Sequence, residues 1–298
     1  MTNSNDKLGP VAIIGAGRVG RALSQAFYKQ GIRISAVISR SLNSAEKCAK
    51  ACNCSVFSEQ LFDLPDVTKT IFVTTPDRVL PNITRKLAKL GFSLNNKFIA
   101  HTSGVMTSEV LEPLKVKNAL VACFHPIQTF AGDEFDWEKL SGIYFGIEGD
   151  SQALSVCKSF VKLFGGKYII IPKEKKTLYH AACVFTSNYL VALMTIPVRL
   201  LNSLDPDKKE ETAKILLPLL EGTVDNIKRL GIENALTGPI SRGDVETVQE
   251  HVEILKREYS EIFHVYCLLG KQALEISEKR EGMDGQALKT LQEILQVK

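Results

Sequence analysis

The sequence predicts an α/β protein, a doubly wound parallel sheet followed by an all-helical half, on three observations. From Pro10 to about Ile171 short apolar runs alternate with helix-periodic stretches. Strands covered by helices on both faces read this way, because neither face of such a sheet meets water. A glycine triplet stands where the first apolar run gives way to the first helical pattern. After Thr177 no convincing strand appears, only long stretches of helical spacing broken at Asp205-Pro206, at Gly231 and in LTGPISRGD.

The elements follow in order. VAIIGA is the first strand and RVGRALSQAFYKQG the amphipathic helix after it; IRISAVIS is the second strand and SLNSAEKCAKAC its helix. IFVTT ends a fourth strand, and Pro76 starts the next helix, since proline is tolerated in a first helical turn. KFIAH, LVACFH, YFGIEG and KYIII complete the strands. The charged run from Lys173 to Lys176 reads as a solvated boundary, dividing the chain into residues 1–172 and 173–298. Leu268, Leu269, Ala273, Leu274 and Ile276, with Leu288, Leu291, Ile294 and Leu295, are apolar at helical spacing and suit a core or a dimer interface.

Composition narrows the function classes. At 298 residues, 45% hydrophobic and 23% charged, the chain is long enough for two domains and too apolar for disorder. A net charge of +4, from 37 basic and 33 acidic residues, comes with no Lys/Arg cluster interleaved with aromatics, so no nucleic-acid partner is expected. No uninterrupted apolar run reaches the roughly 18 residues of a membrane span. The start MTNSNDKLG lacks the order of a signal peptide, so a cytoplasmic protein without a membrane partner is expected. Seven cysteines are read as reduced thiols; Cys48, Cys52 and Cys54 cluster, but no second ligand pair completes a metal site.

GAGRVG places Gly15, Gly17 and Gly20 in the G-x-G-x-x-G spacing, between a strand and a helix. In that context each glycine serves a distinct purpose. Gly15 makes the turn, Gly17 admits a pyrophosphate against backbone, and Gly20 lets the helix pack on the strand. Ala16, Arg18 and Val19 complete the loop, and the helix start offers free amides to phosphate. The second strand ends Ser39-Arg40-Ser41, where an NAD site usually carries an acidic residue. A guanidinium between hydroxyls suits a 2′-phosphate. The expected cofactor is therefore NADP(H), the alternative being that Arg40 is an ordinary surface arginine. Thr74, Thr75, Pro76 and Asp77, at the end of IFVTT, should lie along the ribose and phosphates.

Two of the five histidines end successive strands, His101 before Thr-Ser-Gly and His125 before Pro-Ile-Gln. Strand carboxyl ends face the ligand crevice of such a sheet, so both could face the nicotinamide end, His101 beside the cofactor and His125 beside substrate. The alternative is that each caps its strand through backbone hydrogen bonds. Ser103, with Gly104, could donate to a substrate oxygen, and Gln128 could reach the same place.

The chain resembles the Rossmann-like proteins with a DUF2520 helical domain, a branch of the 6-phosphogluconate dehydrogenase-type reductases. GAGRVG, HTSG after a strand, FHPIQTF, YHAACVFTSNYLVAL and LTGPISRGDVETVQEH carry the resemblance over residues 11–252. It implies a dinucleotide-binding domain and a helical dimerisation domain, and so a homodimer; it implies no particular substrate. FHPIQTF is also similar in position to the His-Pro motif of prephenate dehydrogenases, where the histidine contacts substrate; His125 and Ser103 match, while the remaining basic pattern is absent. Ketopantoate reductases and β-hydroxyacid dehydrogenases carry a catalytic Lys and, one turn later, an Asn on the first interdomain helix. TLYHAACVFTSNYL has His180 and Asn188 but no Lys in that interval.

On a continuous helix His180 and Ser187 share one edge and Asn188 lies about 80° round. These groups either bind other helices or project into the cleft between the domains, with His180 as general acid and Asn188 orienting substrate. Arg242 in SRGD either enters that cleft to pair an acidic substrate or is solvated beside an Asp244 N-cap. The leading reading is an NADP(H)-dependent oxidoreductase moving hydride to or from a small carbonyl or imine compound that carries a carboxylate. The alternative is a non-catalytic NADP(H)-binding sensor or assembly protein.

Overall fold

The computed structural model describes residues 8–134, 136–204, 211–280 and 283–296. The polar N-terminal residues before Leu8 and the Asp205-Pro206 break lie outside the described residues. Two compact units divide after Tyr189.

The first unit is built on β1 (Val11–Ile14), α1 (Arg18–Lys29), β2 (Ile34–Ile38), α2 (Leu42–Ala51), β3 (Phe57–Ser58) and β4 (Thr70–Val73). It continues through α3 (Leu80–Ala88), β5 (Phe98–His101), α4 (Glu112–Lys115), β6 (Leu120–Pro126), β7 (Tyr144–Gly149), α5 (Ser151–Leu163), β8 (Lys167–Ile170) and α6 (Lys176–Thr186). The sheet order is β3-β2-β1-β4-β5-β6-β7-β8. Every pair is parallel except β6 and β7, which run antiparallel with His125 opposite Gly146. The sheet is thus the expected doubly wound parallel one, with a single antiparallel pair inside it. LVACFH and YFGIEG are joined by a stretch with no α-helix among its described residues, and a strand returning without a crossover helix pairs antiparallel.

Apolar cores on both faces explain the unbroken runs of β1, β2 and β4. Phe27, Phe72, Phe124, Phe145 and Phe160 fill one face; Ile14, Ile71, Leu80 and Leu87 fill the other. Cys48, Cys52 and Cys157 lie in the first of these as small hydrophobes, and burial pushes their thiols up. The first core also fixes where the sheet ends meet, because β1, β4, β5 and β6 are successive neighbours whose carboxyl ends emerge on one edge.

The second unit contains α7 (Asn188–Leu204) beyond its first two residues, α8 (Thr212–Ala235), α9 (Pro239–Arg242), α10 (Val245–Glu258), α11 (Ser260–Glu278) and α12 (Gly285–Ile294). Val248, Val252, Leu255, Phe263, Leu274, Leu291 and Leu295 form its core, so the C-terminal apolar spacing is core, while Leu268 and Leu269 are exposed.

Two boundary expectations change. The charged run does not separate the units: α6 belongs with the sheet, and Lys176 is 1% exposed rather than solvated. The segment 173–204 is long enough and apolar enough to cross a membrane by length and composition, with a mean hydropathy of 1.6 over its best window. Counting uninterrupted runs misses it, because Thr186, Ser187 and Asn188 break the run while the apolar residues around them keep the mean high.

Candidate functional site

The glycine loop opens a cavity of about 740 Å³ at the sheet's carboxyl edge. Gly15, Ala16, Gly17, Ser39, Arg40, Ser41, Thr74, Thr75 and Pro76 line it. The backbone explains the loop. Gly15 has φ +110°, and a Cβ there would press on the Thr74–Thr75 backbone; at Gly20 a Cβ would collide with the Gly15 carbonyl. Thr74 Oγ1 donates to that same carbonyl at 2.6 Å, locking the loop to β4. Thr75 Oγ1 is buried on the cavity wall with no hydrogen-bond partner, a cost that a ligand oxygen would remove. Ser44, Arg78, Asn82, Lys86 and Lys89 also line the cavity, and its basic residues outnumber the lone carboxylate, Glu59. Motif reading missed them because they come from α2, the turn before α3, α3 and the residue that ends it, where no spacing marks them.

Arg18, Val19, Gly20 and Asp77 are not among the lining residues. Neither is His101. It is fully buried, with Nε2 at 3.1 Å from the Thr107 carbonyl and Nδ1 accepting from the Ser103 amide at 3.1 Å. The strand-capping alternative therefore describes His101, and its cofactor role is corrected. Burial, assisted by the charge of Lys176, pushes its imidazole down to about 3.

A second constellation gathers at Gly104. A Cβ on Gly104 would lie 2.5 Å from His180 Nδ1 and 3.1 Å from His125 Nε2, so both rings aim at one small residue. His125 Nδ1 is 2.6 Å from the Tyr179 hydroxyl. Burial pushes the Tyr179 phenol up, keeping it protonated, so it donates to Nδ1 and leaves the ring proton of neutral His125 on Nε2. His125 is held down to about 4 by burial, then by the charge of Lys176 and His180. His180 Nδ1 is buried and has no hydrogen-bond partner. His125 and His180 thus stand with ring centroids 6.4 Å apart, and Tyr179, which sequence reasoning passed over, joins them.

Ser103 is in place but its hydroxyl is engaged by the turn, accepting from the amides of Val105 at 3.3 Å and Met106 at 2.9 Å. Gln128 is exposed and folded onto its own loop, with Oε1 accepting from the Thr129 amide at 2.8 Å, so it is not part of this group. A turn at Ser187, whose amide still bonds the Cys183 carbonyl, separates α6 from α7, and Asn188 opens α7 exposed. Arg242 is exposed in the second unit, and Asp244 caps α10 by accepting from the Thr247 amide at 3.2 Å, as the solvated alternative has it.

The residue missed outright is Lys176. It lies one turn before His180 on the same helix face, just outside the interval searched for a lysine. That i, i+4 relation was its legible signal.

The family described as "Rossmann-like domain" matches residues 3–126, and "Domain of unknown function (DUF2520)" matches residues 143–273. The chain carries a Rossmann-like domain followed by a DUF2520 domain. The DUF2520 match starts before β7, so it takes in the last two strands as well as the helices. No curated protein matches the sequence. Protein TM1727 of Thermotoga maritima is 29% identical with a TM-score of 0.71, over 91% of this chain and 99% of that one. A Bacteroides fragilis protein provisionally named an NADP oxidoreductase is 24% identical, TM-score 0.72, over 91% and 100%. A reductive aminase of Aspergillus terreus, solved with NADPH and ethyl levulinate, is 17% identical, TM-score 0.63, over 94% and 97%. At the last two identities the likeness is one of fold.

Proposed function

We propose that this protein is an NADP(H)-dependent oxidoreductase that moves hydride to or from a small carbonyl or imine compound carrying a carboxylate. The observation that carries the reading is the convergence of His125 Nε2 and the unpartnered His180 Nδ1 on Gly104, on the sheet edge that also holds the glycine-loop cavity. Bound cofactor would supply the hydride. Gly15, Ala16 and Gly17 would hold its pyrophosphate, Thr75 one of its oxygens, and Arg40 with Ser39 and Ser41 its 2′-phosphate. His180 would give or take the proton at the reacting oxygen or nitrogen, and His125, oriented by Tyr179, would hold that atom through Nε2–H. The fold shared with a reductive aminase that binds NADPH supports the same reading.

Titration with NADPH and NADH, followed by nicotinamide fluorescence, tests the cofactor assignment. Arg40→Ala is expected to weaken NADPH about tenfold or more, the loss of a charge-assisted pair, and to leave NADH within about twofold. Equal loss for both nucleotides would remove Arg40 from the 2′-phosphate. No binding of either to the wild type would end the oxidoreductase reading and the sensor alternative together.

A homodimer through the helical half is part of the proposal. None of the apolar window of segment 173–204 is buried, and Val191, Ile215, Leu219 and Ile232 are at least 60% exposed. An apolar surface of that extent needs a cover in water. Sedimentation equilibrium should give the mass of two chains; Val191→Glu with Leu219→Glu should give one, and a monomeric wild type would exclude the dimer.

A further inference from the structure

Lysine is almost never fully buried unless paired. Lys176 is 1% exposed, and among the described residues no carboxylate is paired with it. Its Nζ instead donates to the Ser103 carbonyl at 3.2 Å and to Cys123 Sγ at 2.9 Å, and stands 5.4 Å over the Tyr179 ring. The three partners sit on three elements: the turn after β5, β6, and α6. Each of these elements delivers one group of the site, namely Gly104 with Ser103, then His125, then His180.

We propose that Lys176 is the positioning residue of this site, the buried ammonium that ties the His101–Gly104 turn to β6 and to Tyr179 and so sets where Ser103 and His125 stand. The proposal rests on the reading of the site given above, and its test needs neither cofactor nor substrate. Cys123 does not neutralise the charge, because burial holds its thiol up at about 11 even beside the ammonium, and Sγ donates in turn to the Ser103 carbonyl at 3.2 Å. The one buried carboxylate nearby, Glu148 opposite Cys123 on β7, is engaged by the Ser108 amide and hydroxyl. The charge of Lys176 therefore falls on the two imidazoles. Around His125 the titratable groups are Lys176, Tyr179 and His180 from α6, His101 from β5, Cys123 on β6 and Glu148 from β7. Lys176 is the lysine among them, and its charge adds to burial, the larger cause, and to that of His180 in keeping His125 neutral, able to accept from Tyr179 and to donate through Nε2.

The experiment is the titration of the histidine ring carbons by NMR in wild type, Lys176→Met and Lys176→Arg, with His125 assigned through His125→Gln. Met keeps the length and packing without the charge. The expected result is that His125 titrates about one unit or more higher in Lys176→Met, though still below the ordinary value because burial remains, and stays low in Lys176→Arg, since removing a nearby cation favours the protonated form. NADPH affinity should stay within about twofold in both, as the cavity lies elsewhere on the edge. An unchanged His125 titration in the Met variant would reduce Lys176 to a filler and overturn the proposal. If Met does not fold, Lys176→Gln takes its place, with the same outcomes. Should neither uncharged variant fold while Arg does, the cation is required. Wild-type His125 titrating near the ordinary 6.5 overturns the proposal whatever the variants do. Absence of NADPH binding with these shifts intact would count against the proposed activity and leave the role of Lys176 standing.

Discussion

Gly104→Ala is expected to cut turnover of a carbonyl or imine substrate by roughly 100-fold, while NADPH affinity stays within about threefold and the melting temperature within a few degrees. The backbone permits the methyl group, because Gly104 is absent from the positive-φ glycines. The site does not. The new Cβ would fall 2.5 Å from His180 Nδ1 and 3.1 Å from His125 Nε2. His125 is anchored through Tyr179 at 2.6 Å, so His180, whose Nδ1 has no partner to hold it, is the ring that turns away. The cavity at the glycine loop does not include Gly104, which is why binding and turnover should separate. Stopped-flow and steady-state kinetics with an identified substrate read the first effect, and fluorescence titration the second. Full turnover in the alanine variant would remove the histidine pair from the chemistry.

Acid should destabilise the protein well before its carboxylates titrate. In the unfolded chain imidazoles take up protons as the pH falls through about 6.5, whereas the folded His125 and His101 do so only near 4 and 3. Between those limits the unfolded chain binds more protons, so stability is full above pH 7 and falls toward pH 4 by roughly 3 kcal/mol for each ring. Against a total of about 5–15 kcal/mol for an ordinary domain this is large. Urea midpoints measured from pH 7.5 to pH 4.5 should decline steadily, with most of the loss below pH 6.5. A flat profile over that range would mean that the two rings are protonated in the folded protein at ordinary values.

Local patterns carried a large part of this protein. The strand runs, the helix after each, and the glycine loop were legible because each depends on neighbours in sequence: apolar residues unbroken where both faces are covered, glycine where φ is positive or backbones touch. The cavity lining from Gly15 to Pro76 followed from the same loop, since strand ends in such a sheet share one edge. His125 and His180 were legible as polar groups at the ends of apolar stretches.

The rest depended on distances that sequence spacing does not encode. His101 and His125 stand near the ends of successive strands in similar words, yet His101 ends β5 level with Cys123 and is buried, while β6 runs on three residues past Cys123 and carries His125 beyond the end of β5. The helix wheel that set Ser187 beside His180, with Asn188 about 80° round, assumed a continuous helix, and the chain turns at Ser187 between α6 and α7. Lys176 belongs to a run of four charged residues that reads as solvent-facing, and three of the four do remain exposed. What the sequence by itself determined was which segments become strands and helices and where a dinucleotide loop lies, because those are local requirements of backbone and burial. Only the tertiary structure decided that one lysine of that run turns inward to meet Ser103, Cys123 and Tyr179, because a buried charge is placed by partners from distant segments and not by its neighbours in the chain.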